Sequence, residues 1–234
     1  MNLQIPAFGI GILVMCYMTA TIGKNIQTSF WKKEGIMLFG FAFAILGLKI
    51  VARIEHGGWS GFSFFGAHFF APLGVLIACL VLRQKKDVIS DLVDLSAPSL
   101  CIGLSAHKVA CYFIGCCGGR FIDLSEQISF RFPSQIVESI VAFITMFFII
   151  RLINNGKQRG LVIYWYFIVY GIERFLLTFL RDTSHTILGL PDGQFWSVIS
   201  IVLGLIFLYA NHLRVVTAEE KKAATQNRRA HKAH

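Results

Sequence analysis

The chain has 234 residues, of which 55% are hydrophobic and only 15% are Asp, Glu, Lys or Arg, and its formal net charge is +9. Soluble domains carry about 25% charged residues, so this composition excludes an ordinary water-soluble domain. The positive charge would suit nucleic acid, but it lies between apolar segments, where it orients a membrane protein and contacts anionic lipid. We therefore expect a lipid bilayer, and no nucleic acid, as a partner.

Seven apolar segments account for most of the chain. Each has the length that an α-helix needs to cross a hydrocarbon core of about 30 Å. The predicted spans are 6–23, 35–54, 62–82, 92–117, 134–152, 160–180 and 193–211. The sequence therefore predicts an all-α, polytopic membrane domain over residues 1–216, with seven transmembrane helices, followed by a basic and disordered tail at 217–234.

The basic residues follow every second span. Of the 22 Lys and Arg residues, 15 come after the first, third, fifth or seventh span. The alternate gaps hold Arg53, Arg120, Arg131 and Arg181. Positive charge is retained on the cytoplasmic side, so the N-terminus is predicted outside and the C-terminal tail in the cytoplasm. The first segment lacks a preceding basic region, so no cleavable signal peptide is expected. The pattern favours a bacterial inner membrane.

The second and third spans carry polar residues near their outer ends. Lys49 and Arg53 lie one turn apart, and their side chains would reach the outer lipid headgroups from there. His68 lies among phenylalanines early in the third span. It is either a proton acceptor near the outer face or a hydrogen-bonded structural residue.

The fourth span is the least apolar, which predicts a place inside the helix bundle. Lys108, Cys111 and Gly115 follow at i, i+3 and i+7 and so share a face. The glycines after them would end the helix near the outer surface. A buried ammonium beneath a loop of backbone N–H groups would form an anion site. The alternative is that Lys108 pairs with an interior carboxylate.

Six cysteines fall into two groups. Three lie within spans and are typical of apolar packing, namely Cys16, Cys79 and Cys101. The other three form a C-x4-C-C pattern near the oxidising face: Cys111, Cys116 and Cys117. A redox pair is one interpretation. The spacing differs from C-x2-C and the histidines do not complete a zinc set, so we expect no metal and no cofactor.

The fifth span begins with polar residues after Pro133, a residue suited to the first turn of a helix. Gln135 and Glu138 share a face there with Ser134, and that face should point inward. Glu138 is predicted to act as a base or as a salt-bridge partner.

The sixth span places Tyr170, Arg174, Thr178 and Arg181 on one face. Arginine keeps its charge and presents a planar fork that fits phosphate. Together with Lys108, Arg174 suggests a phosphate group as the ligand. The alternative is a structural pair between Arg174 and either Glu138 or Glu173.

Five sequence segments, in this order, resemble the prolipoprotein diacylglyceryl transferase family. They are Gly61–Gly66, Asp94–Pro98, Cys111–Gly119, Pro133–Glu138 and Tyr170–Arg181. The resemblance extends from Pro6 to Phe195, and the Gly-Cys-Cys ending of the fourth span is similar to a divergent branch. The family's seven helices and its terminal orientation agree with the topology inferred from hydropathy and charge.

The resemblance implies transfer of the diacylglyceryl group of phosphatidylglycerol to the lipobox cysteine in the signal peptide of a prolipoprotein. On that basis the catalytic residues would be Arg174 and Lys108, which would stabilise the leaving phosphate, with His68 as a base. The substrate-binding residues would be Cys111, Gly119, Glu138, Arg181 and Gln135.

This chain departs from the family pattern at four positions. The family usually has Tyr, His, Arg and Asn where this chain has Phe8, Phe65, Lys108 and Cys111. Two other functions therefore stay open. One is a lipid-binding accessory protein, or a transferase with a different acceptor. The other is a membrane thiol protein that uses its three outer cysteines.

Overall fold

The computed structural model describes residues 4–59, 61–125, 128–182 and 185–232. Within them the chain forms seven α-helices, one short 3₁₀ helix at Ile22–Asn25 and two antiparallel hairpins. The helices are α1 (Gln4–Thr21), α2 (Phe30–His56), α3 (Phe64–Val81), α4 (Lys86–Ile114), α5 (Ser134–Asn155), α6 (Val162–Thr178) and α7 (Asp192–Lys232). The strands are β1 (Phe121–Ser125), β2 (Ile128–Arg131), β3 (Thr186–Ile187) and β4 (Leu190–Pro191).

Each predicted span overlaps one of these helices, and the chain is mostly helical, as predicted. In the described ranges, five helical segments are long and apolar enough to cross a membrane. They are Phe30–His56, Phe64–Val81, Lys86–Ile114, Ser134–Asn155 and Asp192–Arg214. On α5, Ile140, Phe143 and Phe147 are exposed, whereas Glu138 and Ser139 are buried. A helix with its polar residues inside and its apolar residues outside is suited to lipid, so the chain is a multi-pass membrane protein.

Helix α4 lies at the centre of the bundle. It packs against α1, α2, α3, α5 and α6, and its polar residues Asp94, Ser96 and Lys108 are buried. Lipid offers such groups no hydrogen bonds, so only a place among other helices lets them find partners. The low apolar content of this segment thus explains its interior position.

The hairpin of β1 and β2 connects α4 with α5. Its base is tied to the end of α6 because the Arg120 N–H donates to the Leu180 carbonyl at 3.0 Å. Gly119 lies at this junction. A Cβ there would come within 2.6 Å of the Phe132 carbonyl and 2.7 Å of the Leu180 carbonyl. Glycine is therefore required at position 119 by the close approach of two backbone segments.

The last helix, α7, covers most of the segment 217–234, whose assignment to a separate, disordered basic tail stays a prediction. Helix α7 continues to Lys232, and residues 233–234 lie outside the described part. The local reason is composition, since Ala, Glu, Lys, Gln and Arg, which dominate this segment, are strong helix formers. A segment with so few apolar residues cannot pack against a hydrophobic core, but its backbone can still be helical.

Candidate active site

One buried carboxylate is the centre of the site. The Glu138 Oε2 atom lies 3.1 Å from Lys108 Nζ, 3.0 Å from Arg174 Nη1 and 3.0 Å from Arg181 Nη1. The Glu138 side chain is 1% exposed. We call these four residues the Glu138 cluster. It brings together two predicted catalytic residues, Lys108 and Arg174, with two predicted substrate-binding residues, Glu138 and Arg181.

Three helices meet to build the cluster. Lys108 lies near the end of α4, Glu138 in the second turn of α5 and Arg174 near the end of α6. Helices α4 and α5 are joined beside it, since the Ser139 hydroxyl donates to the Ser105 carbonyl at 3.0 Å. Both pairings considered from the sequence occur, because Lys108 pairs with an interior carboxylate and Arg174 pairs with Glu138 rather than Glu173.

The cluster has more positive than negative charge. Three cations share one carboxylate, and within the described residues none of the three makes a second ion pair. Buried cations without counter-ions are costly. Counted over these ion pairs, the cluster has two more positive charges than negative ones, which gives it the electrostatics of an anion-binding site.

The turn after α4 lies against this cluster. The Gln135 amide donates to the Cys116 carbonyl at 2.6 Å, and the Ser134 hydroxyl donates to the Cys117 carbonyl at 3.1 Å. Gln135, predicted to bind substrate, therefore uses its amide nitrogen to hold this turn. A hydrogen bond from the Cys111 thiol and the positive charges of Lys108 and Arg181 keep the pKa of Cys117 below its ordinary value.

The remaining predicted substrate-binding residues lie beside the cluster without joining it. Cys111 is 3% exposed, and its sulfur lies 3.5 Å from the His107 Nε2 atom. Gly119 pairs with Arg181 through an isolated backbone bridge, so it positions the segment that carries Arg181.

The structure does not bring His68 into contact with the Glu138 cluster. His68 is fully buried, and its ring packs against Phe167 and Tyr170 with centroids 4.5 and 4.8 Å away. Its Nε2 lies 2.7 Å from the Ser200 hydroxyl, which donates to the Phe167 carbonyl. Since the Ser200 proton is used there, His68 Nε2 must be the donor, and Nδ1 keeps a lone pair without a partner in the described residues.

A family model described as Prolipoprotein diacylglyceryl transferase matches residues 2–210. The chain belongs to the prolipoprotein diacylglyceryl transferase family. The resemblance seen in the sequence is thereby confirmed.

Similar proteins include three clostridial members of this family. The phosphatidylglycerol–prolipoprotein diacylglyceryl transferase of Clostridium tetani (strain Massachusetts / E88) is 26% identical over 167 residues, 66% of this chain and 66% of that protein. Transferase 2 of Clostridium perfringens (strain 13 / Type A) is 30% identical over 167 residues, 66% of this chain and 64% of that protein. The transferase of Clostridium botulinum (strain Langeland) is 27% identical over 242 residues, 89% of this chain and 93% of that protein. The chain thus spans just under two thirds of the length of the first two relatives.

This family member contains a further buried carboxylate, Glu173, that the sequence did not assign to the site. Glu173 precedes Arg174 on α6, and both of its carboxylate oxygens are buried without a hydrogen-bond partner in the described residues. Such an unpaired buried carboxylate is unusual. A carboxylate beside an arginine within an apolar span is the sequence feature that would have indicated it.

Proposed function

We propose that this chain transfers the diacylglyceryl group of phosphatidylglycerol to the thiol of a lipobox cysteine in the signal peptide of a prolipoprotein. The observation that carries the proposal is the Glu138 cluster, a buried group of three cations around one carboxylate, in a chain of this family. The attacking thiolate forms a carbon–sulfur bond to the glyceryl carbon. The carbon–oxygen bond to phosphate breaks, and glycerol phosphate leaves with the electron pair.

The charge of the cluster suits this reaction. The phosphodiester of phosphatidylglycerol carries one negative charge, and the departing glycerol phosphate approaches two. An excess of two positive charges therefore matches the leaving group better than the substrate, and this is the difference that accelerates a reaction. Arg174 and Arg181 supply planar forks that suit phosphate oxygens, whereas Lys108 supplies a compact charge.

An apolar cavity beside the site would hold the acyl chains. It lies among α1, α2, α3 and α4, and its lining includes Met15, Met37, Ala44, Leu48, Leu100 and His107. Because His107 immediately precedes Lys108 on α4, the cavity and the Glu138 cluster are neighbours. A lipid with its chains in the cavity would place its headgroup toward the cations.

The site also supports a topology with seven membrane crossings. The end of α4, the start of α5 and the end of α6 all meet at the cluster. The basic gaps after the first, third, fifth and seventh spans would then lie on the opposite, cytoplasmic side. We propose an outside N-terminus, a cytoplasmic C-terminus and the bacterial inner membrane, with the Glu138 cluster near the outer face.

The direct test is a transfer assay with the purified protein. The donor is phosphatidylglycerol labelled in its diacylglyceryl part, and the acceptor is a peptide that carries a lipobox cysteine. Transfer should require the acceptor thiol and should fall by about 10²–10³-fold in Arg174→Ala, the size expected for losing one charge-stabilising donor. Arg151→Ala, which removes an exposed arginine at the other end of α5, is the matched control.

The absence of transfer would distinguish the transferase from the other functions. Folded protein that binds phosphatidylglycerol but labels no acceptor would contradict the transferase proposal. It would favour a lipid-binding accessory role or a different acceptor.

Two residues compete for the role of base. His68 has a free Nδ1 lone pair but is enclosed by aromatic rings, whereas Glu173 has two unpaired oxygens next to Arg174. The substitutions His68→Gln and Glu173→Gln each remove proton acceptance with little change in size. The substitution that abolishes the rise of kcat/KM with pH identifies the base, and a uniform loss across pH would show a structural role instead.

A further inference from the structure

The turn that follows α4 gathers three cysteines that the proposed transfer does not explain. The sulfur atoms of Cys111, Cys116 and Cys117 all lie within 4.8 Å of one another. Cys111 is buried, whereas Cys116 and Cys117 are exposed. The three thiols therefore form one group with an open side.

A fourth ligand atom lies next to this group. His107 is one helical turn before Cys111, and its Nε2 atom is 3.5 Å from the Cys111 sulfur. In a tetrahedral zinc site with Zn–S bonds of about 2.3 Å, neighbouring sulfurs are about 3.8 Å apart. The thiols would need to contract by about 1 Å at most to surround one ion. The imidazole nitrogen has a suitable separation from the Cys111 sulfur and would move toward the other two sulfurs when it binds the ion.

The backbone of the turn after α4 holds the three thiols close to one another. Gly115 and Cys117 have positive φ angles of 76° and 58°, which turn the chain back over the end of α4. The Cys116 N–H donates to the Cys111 carbonyl at 3.1 Å, and Gln135 and Ser134 fix the carbonyls of Cys116 and Cys117. A non-glycine residue in the left-handed region is typical of functional sites. The turn is thus built so that the thiols converge.

We propose that Cys111, Cys116, Cys117 and His107 bind one Zn²⁺ ion. The sequence argued against a metal, because C-x4-C-C lacks the usual ligand spacing and no histidine pattern completes it. The fold supplies what the spacing lacks, since the turn folds Cys116 and Cys117 back toward the face of α4 that carries His107 and Cys111.

The surrounding charge suits such a site. Three thiolates, a neutral imidazole and a divalent ion have a net charge of −1. Lys108 and Arg181 lie close enough to act on Cys117, and the Glu138 cluster to which they belong has a charge excess of the opposite sign. A bound ion would tie the end of α4 to the turn above the cluster and would protect the thiols from oxidation.

The test is a Co²⁺ titration of the reduced, full-length protein in detergent, followed by absorption from thiolate to Co²⁺ and by displacement with Zn²⁺. We expect one ion per chain. Each of Cys111→Ser, Cys116→Ser and Cys117→Ser should weaken binding at least about tenfold, and His107→Ala should weaken it while retaining the thiolate absorption. Cys16→Ser, which removes a half-buried cysteine on α1, is the matched control and should bind as the parent does.

Three results would overturn the proposal. The first is reduced, folded protein whose thiols react with an alkylating agent but which gives no Co²⁺ absorption. The second is absorption that persists unchanged in all three serine variants. The third is a disulfide among the three cysteines in protein purified without reductant, with no Co²⁺ bound after reduction. The outcome is independent of the proposed transfer, because Arg174→Ala should lose transfer and keep Co²⁺ binding.

Discussion

Two buried carboxylates at opposite ends of the bundle, Asp94 and Glu138, are stabilised in different ways. Asp94 on α4 accepts the backbone N–H groups of Gly160 and Ile163 at 2.6 and 3.1 Å, so it caps the start of α6. Glu138 on α5 accepts from three cations near the end of α6. The Asp94 carboxylate is thus hydrogen-bonded by uncharged backbone groups, whereas the single negative charge of Glu138 faces three positive charges.

This difference separates a structural carboxylate from a functional one. Asp94 and Lys108 are 14 residues apart on α4, or about 21 Å along the helix, so α6 is held to neighbouring helices near both ends. Of these two carboxylates, only Glu138 is surrounded by more positive charge than it can balance. Burial alone therefore does not identify the site, whereas the balance of charge around the buried group does.

Removing the central carboxylate should have the largest effect on stability. Glu138→Gln leaves three buried cations without their counter-ion, and we expect a loss of about 3–5 kcal/mol in the free energy of unfolding. Denaturant unfolding in detergent measures it. Added phosphate or phosphatidylglycerol should restore part of the loss. A variant as stable as the parent would show that water already screens these cations and would weaken the contrast with Asp94.

Removing one cation should affect the reaction more than the fold. Lys108→Ala should lower transfer by about 10²-fold, or about 2.7 kcal/mol of transition-state stabilisation. Lys108→Arg should retain most of the activity because the charge is kept. The labelled-lipid assay compares the two. Equal losses in both variants would mean that the size of the side chain matters here rather than its charge.

The other carboxylate should behave in the opposite way. Asp94→Ala removes the acceptor for two backbone N–H groups, and we expect a loss of about 1–2 kcal/mol in the free energy of unfolding. Transfer per folded molecule should stay within about threefold of the parent, since Asp94 is far from the Glu138 cluster. A specific loss of kcat without loss of stability would break the proposed division between the two ends.

The smallest effect is expected at the exposed ion pair near Asp94. Arg159 contacts Asp91 through two nitrogens, and this hydrogen bonding raises the pKa of Arg159. Because the Arg159 side chain is half exposed, Arg159→Ala should change the free energy of unfolding by less than about 1 kcal/mol. The difference from the parent should shrink further at high salt. A loss as large as that of Asp94→Ala would mean that this pair helps to hold the start of α6.

The sequence was sufficient for the helices and the family, because both depend on local features. Hydropathy over about 20 residues reports a helix in lipid wherever it packs, and the five sequence segments are contiguous in the chain. The same local reasoning identified Lys108 and Arg174 as costly charges within spans. At the end of α7, composition showed that the segment is polar but could not decide its backbone conformation.

The tertiary structure alone decided which polar groups meet. Positions 108, 138, 174 and 181 converge only because α4, α5 and α6 pack together, and no sequence period connects residues on different helices. The same packing separates His68 from the cluster and leaves Glu173 unpaired. It also brings His107 beside the cysteines of the turn after α4. The physical reason is that ion pairs and ligand sites depend on distances of about 3 Å between distant parts of the chain, whereas hydropathy depends only on neighbours in the sequence.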